Sequence, residues 1–253
     1  MKNKKTEALA VKKDEHIIAL AGNPNVGKST VFNYITGLKQ HTGNWTGKTV
    51  ENAYGRYKHN GENYVLVDLP GTYSMLARSH DEAAAGEYIK EGNHETVVVV
   101  ADATALERNL NLTFQILEIT SNVVLCINLI DEARNKGIHI NIDKVSEMLG
   151  IPVVATSAKT GEGIKKLLDV VSDMVCARRY SKSSDIPVVE KNKTNIENHN
   201  KMARDIAEKC IRFECDNPNK RDRKIDEVIT SKKICGPSAT PPPPWRPPSP
   251  PIW

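Results

Sequence analysis

Between residues 16 and about 177, short apolar runs alternate with stretches of helical period. HIIALAG (16–22) is continuously apolar and ends in glycine. KSTVFNYITG (28–37) has helical spacing and stops at Gly37, a C-cap residue. ENAYGRYKHNGENYVLVDLPG (51–71) predicts two strands around Asn60-Gly61, the strongest short hairpin signal. SHDEAAAGEYIKEG (79–92) opens on a capping box, Ser79 with Glu82 three positions on. Buried strands are expected at TVVVVADAT (96–104), NVVLCINLID (122–131) and PVVATSA (152–158). Helices are expected at LERNLNLTFQILEIT (106–120), NIDKVSEMLG (141–150) and GEGIKKLLDVVSDMV (161–175). Continuously apolar strands separated by helices imply a parallel sheet covered on both faces. The expected fold is α/β, with a six-stranded mixed, mainly parallel sheet whose hairpin supplies an antiparallel edge.

The character changes past residue 177. SKSSDIPVVEKNKTNIEN (181–198) reads as a polar linker, and KMARDIAEKCIRF (201–213) sets Met202, Ile206, Cys210 and Phe213 at helical spacing. KIDEVIT (224–230) is a second short helical pattern. The closing GPSATPPPPWRPPSPPIW can neither donate to a sheet nor continue a helix, and is expected to be extended and disordered. The domain reading is a flexible, Lys-rich N-terminus over 1–15, an α/β domain over 16–177, and a linker over 178–198. A partial helical region over 199–234 and a Pro-rich tail over 235–253 complete it.

Composition narrows the picture. The chain has 253 residues, 39% of them hydrophobic, enough for one sizeable core and a small appendage. A net charge of +4 is too weakly basic to imply nucleic acid, and no nucleic-acid partner is expected. The five cysteines, Cys126, Cys176, Cys210, Cys215 and Cys235, form no CxxC pair and no Cys/His ligand spacing. An odd, scattered set argues for a reducing compartment, and Cys126, inside an apolar run, for a buried small hydrophobe. No apolar run approaches the roughly 18 residues of a spanning helix, and the N-terminus has no signal-peptide core. The chain as it stands is expected to be soluble and cytoplasmic.

The chemistry sits at the strand ends. Gly22-Asn23-Pro24-Asn25-Val26-Gly27-Lys28-Ser29, followed by Thr30, fits GxxxxGK[ST] at a strand-to-helix junction. Backbone N–H groups of such a turn and helix N-terminus wrap phosphates. Lys28 would reach the β- and γ-phosphates, and the Ser29 hydroxyl would ligate magnesium. Asp68-Leu-Pro-Gly71 ends the next long strand. The acid suits a magnesium-water contact, and the Gly71 N–H can approach a γ-phosphate. Asn128-Leu-Ile-Asp131 ends another strand, where the Asp131 carboxylate can accept from the guanine N1–H and exocyclic amine, which adenine does not present together. Ser157-Ala158-Lys159 would add backbone and stacking contacts to the base. A chance glycine turn, a strand-ending turn or a capping aspartate would explain any one motif alone; their order on these elements argues against that. Together they resemble the P-loop GTPase (Ras-like) domains, which implies GTP and GDP as ligands.

HTGNWTGKTV (41–50) falls where such a domain carries its first switch and reads as a loop. On chemistry alone Thr42, Thr46 and Thr49 are all candidates to reach magnesium. GNPNVGKST, HTGNWTGKTVE, DLPGTYSM and DATALERNLNLTFQILE together resemble the intracellular G domain of FeoB-type ferrous iron transporters, over about residues 16 to 177. The resemblance implies Thr49 as the magnesium threonine beside Gly47, with Lys28, Thr49 and Gly71 as the catalytic set. It implies potassium as a second cation, held by Asn25 and by carbonyls around Gly43, Asn44 and Trp45, supplying the charge that an arginine finger gives elsewhere. Trp45 has a plainer reading as a loop tip packed on the surface. Thr72, where many GTPases carry a water-orienting Gln, predicts slow hydrolysis. Thr46 stands where the family often has Pro or Ala.

The resemblance also implies a membrane permease region, absent from this chain, and leaves a homo-oligomer open. Where its apolar helices would follow, the Pro-rich tail stands instead, which reads as a truncated or shifted frame, or as a ligand for an aromatic groove. No iron-ligand cluster is expected. The functional expectation is a GTP-binding, slowly hydrolysing regulator of ferrous iron uptake. The alternatives are a soluble ribosome- or RNA-associated GTPase and a non-catalytic, nucleotide-gated binding module.

Overall fold

Each strand of the central sheet sends alternate side chains to opposite faces, and the two sets fill two separate apolar clusters. A computed structural model describes residues 7–8, 12, 14–38, 41–44, 51–75, 80–181 and 196–214. Ser79, the 45–50 half of the switch segment, the 224–230 pattern and the Pro-rich tail lie outside the described residues.

The strands are β1 (Glu7–Ala8), β2 (Glu15–Gly22), β3 (His41–Asn44), β4 (Glu51–His59), β5 (Glu62–Asp68), β6 (Thr96–Asp102), β7 (Val123–Asn128), β8 (Ile138–Ile140), β9 (Val153–Ala155) and β10 (Ile211–Phe213). The helices are α1 (Lys28–Thr36), α2 (His80–Glu91), α3 (Leu106–Leu117), α4 (Ile130–Asn135), α5 (Ile142–Leu149), α6 (Ile164–Ser181) and α7 (Ile196–Cys210). The main sheet runs β1-β3-β4-β5-β2-β6-β7-β9. The six strands read from the sequence are its continuous part. β2, β5, β6, β7 and β9 are mutually parallel, and β4 is antiparallel to β5. Asn60 and Gly61, both at positive φ (49° and 83°), make the two-residue turn of that hairpin. Two short strands extend the edge: β3 pairs antiparallel with β4, and β1 parallel with β3.

Val98, Val100, Val124, Cys126, Leu20 and Leu66 face α1 and α6, where Val31, Phe32, Leu167 and Val171 close over them. Val97, Val99, Val123, Leu125, Val65 and Val67 face the other way, onto α2, α3 and α5 through Ile89, Leu110 and Val145. Helix ends follow local chemistry. Gly37 (φ 63°) closes α1, its N–H donating to Asn33 O, as its sequence position predicts, and the Asn141 side chain caps α5 by accepting from Lys144 N at 3.0 Å.

Four elements correct the sequence reading. NLID does not continue strand β7: the chain turns at Leu129 (φ 62°) and Asp131 sits in the first turn of the short helix α4. His41–Asn44, read as loop, is the strand β3, because the N-terminal half of β4 offers it a free edge. Ile211–Phe213 prolongs the helical spacing of α7 on paper but pairs antiparallel with β8. Phe213 is accordingly exposed, as is Met202, while Ala203, Ile206 and Cys210 are the residues of α7 that enter the core. α6 also runs on to Ser181, into the segment read as linker. Among the described residues no helix is long and apolar enough to cross a membrane.

Candidate functional site: the loops after β2 and β9 joined by Asn128

Parallel strands deliver their C-terminal ends to one edge of the sheet, and the motifs lie there. β2 ends at Gly22. The turn Asn23–Val26 then leads to Gly27, the N-cap of α1, at φ 80°. That φ suits glycine, and a Cβ there would also run into the Asn128 side-chain amide. Asn25 takes a positive φ (65°) and is exposed, while Val26 is buried beneath it. Lys28, Ser29 and Thr30 form the first turn of α1, where helix N–H groups have no intrahelical partner.

The Lys28 ammonium donates to Asp68 Oδ1 at the end of β5 and to the Leu69 carbonyl at 2.6 Å. Burial holds the Asp68 carboxyl above the ordinary aspartate range, and the charge of and bond from Lys28 offset part of that rise. The following turn is stitched to the phosphate loop by Leu69 N–H on Leu20 O (3.0 Å) and Thr72 N–H on Gly22 O (3.2 Å). Gly71 is exposed, and a Cβ there would touch Pro24 only at ordinary contact distance (3.5 Å to Cα), so packing does not demand glycine. The Thr72 hydroxyl is used up locally: it donates to Ser74 O (2.6 Å) and accepts from Ser74 N (3.1 Å).

Asn128 ties the site together. Its Nδ2 donates to Val26 O of the phosphate loop at 3.0 Å. Its Oδ1 accepts from Ala158 N at 3.0 Å and from the Thr156 hydroxyl at 3.2 Å. Cys126 Sγ lies 3.2 Å from the same hydroxyl. With the Thr156 proton committed to Asn128, the thiol is the donor, and burial, pushing the Cys126 pKa up to about 12, keeps it protonated. Thr156 was not singled out in the sequence; its partners are 28 and 30 residues away and leave no local signature. Gln115 on α3 was also missed. Its Oε1 accepts from Met75 N (2.7 Å) and Ser74 Oγ (3.1 Å), fastening the turn after Gly71 to α3.

Beside this junction, two buried oxygens have no partner among the described residues: Asp131 Oδ1 and Ser157 Oγ. Asn23 Oδ1 is a third, in the phosphate loop. Buried polar atoms are normally satisfied, so orphaned acceptors beside this junction fit a polar ligand. Lys159 is exposed beside Ala158. Of the switch segment, Gly43 lies in β3 between β1 and β4, while Trp45, Thr46, Gly47 and Thr49 fall outside the described residues.

Residues 16–171 match the family model FeoB_N, described as ferrous iron transport protein B. The chain is 44% identical over 154 residues to the Fe(2+) transporter FeoB of Escherichia coli (strain K12), a match covering 59% of this chain and 20% of that protein. It thus spans about a fifth of the length of the curated relatives it matches. Among solved structures it is similar to the G domain of the T. maritima FeoB iron transporter, with 42% identity and a TM-score of 0.59 over 63% of this chain and 98% of that one. The cytosolic domain of the same transporter in its GMPPNP form aligns at 28% identity and a TM-score of 0.68 over 78% of this chain and 99% of that one.

Proposed function

The chain belongs to the FeoB_N family of ferrous iron transport protein B, and from that premise we propose that it binds GTP and hydrolyses it slowly to GDP and phosphate. One observation carries the guanine part. Asp131 Oδ1 and Ser157 Oγ are buried acceptors without a partner among the described residues, on two segments that Asn128 and Thr156 lock to the phosphate loop. A carboxylate so placed selects a base that offers two adjacent donors. The GMPPNP form of the T. maritima cytosolic domain supports the same ligand class.

The phosphates would lie on the first turn of α1, against its N–H groups and those of the loop from Asn23 to Gly27. Lys28, paired with Asp68, stands where its ammonium would also reach a phosphate held by the loop. Magnesium, when bound, offsets phosphate charge and polarises the transferring group. The Ser29 hydroxyl and Asp68 are the described oxygens that fit it, with Thr49 as the third in this reading. Asn25, exposed at the lip of the loop, would hold potassium together with carbonyls from Gly43 to Trp45. The Gly71 N–H, on the exposed turn after Asp68, is the group that would approach a γ-phosphate. The Thr72 hydroxyl is committed to Ser74 rather than free to orient water, which supports the expectation of slow turnover.

In the cell, this domain would report nucleotide state to a membrane permease region and so regulate ferrous iron uptake. Titration calorimetry with GDP and ADP in magnesium tests the binding step. GDP is expected to bind with a Kd on the order of micromolar, and ADP at least a hundredfold more weakly. Equal affinity for the two, or none for GDP, removes the reading.

A further inference from the structure

Arg134 projects from α4 three residues beyond Asp131, and Glu162 from the loop that carries Ser157, Ala158 and Lys159. Their side chains meet in a two-pronged ion pair, Nη1 to Oε2 at 2.9 Å and Nη2 to Oε1 at 2.7 Å. The loop is closed on itself. Ser157 N donates to Glu162 O (3.0 Å), and Thr160 N and Gly161 N donate to Ser157 O (3.2 and 2.8 Å). Glu162 is therefore fixed relative to the base-facing residues, and the pair fastens that loop to the helix bearing Asp131.

Both side chains are about half exposed, 54% for Arg134 and 45% for Glu162, so screening leaves the pair little to contribute to global stability. Its geometry points to a local role. Residues three apart on a helix are neighbours, so Arg134 has two carboxylates within reach, Glu162 and Asp131. The field of Asp131 acts on both members of the pair, after the bond between them, which holds Arg134 above and Glu162 below their ordinary ranges. Yet Asp131 Oδ1 has no partner among the described residues.

We propose that Glu162 occupies Arg134 so that Asp131 stays free to accept from guanine, making the two a positioning pair for base selection. The proposal rests on the guanine-nucleotide reading above. It carries an asymmetry that a merely structural ion pair lacks. Removing Glu162 releases a guanidinium beside Asp131, which then masks the carboxylate. Removing Arg134 loosens the loop but leaves Asp131 free. Removing both unmasks Asp131 again.

The test is the affinity of the full chain for GDP and for inosine diphosphate in magnesium, for wild type, Arg134→Ala, Glu162→Ala and the double variant. Inosine diphosphate lacks the exocyclic amine, so the ratio of the two affinities reports the Asp131 contact independently of loop order or phosphate binding. Glu162→Ala is expected to lower the preference for GDP about tenfold, the scale of a hydrogen bond to a charged group. Arg134→Ala and the double variant are expected to keep the preference within about twofold of wild type, since they remove only an exposed pair. A preference unchanged in Glu162→Ala, or a double variant that discriminates no better than Glu162→Ala, overturns the proposal while leaving guanine binding intact. A wild-type chain that does not prefer GDP sinks both.

Discussion

Asn128 and Asp131 stand three residues apart in one motif, yet the structure gives them different work. Asn128 is fully buried and uses its amide on Val26, Ala158 and Thr156, whereas Asp131 keeps a buried oxygen without a partner among the described residues. Truncating Asn128 to Ala strands a carbonyl, an N–H and a hydroxyl, and is expected to lower the stability of the nucleotide-free chain by about 2–4 kcal/mol, read by urea denaturation. Asp131→Ala is expected to leave that stability within about 0.5 kcal/mol and to lose GDP binding. Equal destabilisation by both variants would make Asp131 a structural residue. The sequence shows both residues at once, because the motif spacing is local, but it does not show this division of labour. Thr156, Gln115, Arg134 and Glu162 were illegible for a related reason. Each acts through a partner 28 or more residues away, and nothing in its neighbourhood announces the bond.

At the scale of elements, periodicity found what is long and regular. β2, β5, β6 and β7 are continuously apolar because helices cover both faces, and α1, α3 and α5 carry their own stop signals or helical stripes. Short pieces escaped it. α4 has six residues, too few for a period, and its first turn looks like the end of a buried strand. Ile211–Phe213 follows the spacing of α7 until a free strand, β8, outbids the helix. α7 matters beyond its label. It lays Ala203, Ile206 and Cys210 into the same cluster as α3 and α5, and His199 stacks on Phe114 of α3 while its Nε2 lies 3.0 Å from Glu118. The helix that fixes the turn after Gly71 through Gln115 is thus also the one on which α7 rests. Ile206→Ala is expected to cost about 2–4 kcal/mol and to lower the single unfolding transition of the whole α/β unit. A variant that melts α7 alone, with the sheet unfolding as before, would show α7 to be a separate unit.

For the whole molecule, the architecture sets the limits of its role. The chain spans about a fifth of the length of the curated relatives it matches. What the chain itself carries is a candidate nucleotide site whose parts converge on one sheet edge: the loop after β2, the Asp68 turn, and the segments after β7 and β9. The family relation was legible because four motifs fall in order on the elements the fold requires. The cation role proposed for the switch segment rests on resemblance alone, since the sequence from Trp45 to Thr49 has no periodicity of its own and lies outside the described residues. The most direct test of the account is GTP turnover by the full chain with magnesium, in potassium and in sodium at equal ionic strength. The account predicts slow conversion to GDP, faster in potassium, with the stimulation lost in Asn25→Ala. A chain that holds GTP yet converts none of it in either salt would contradict it.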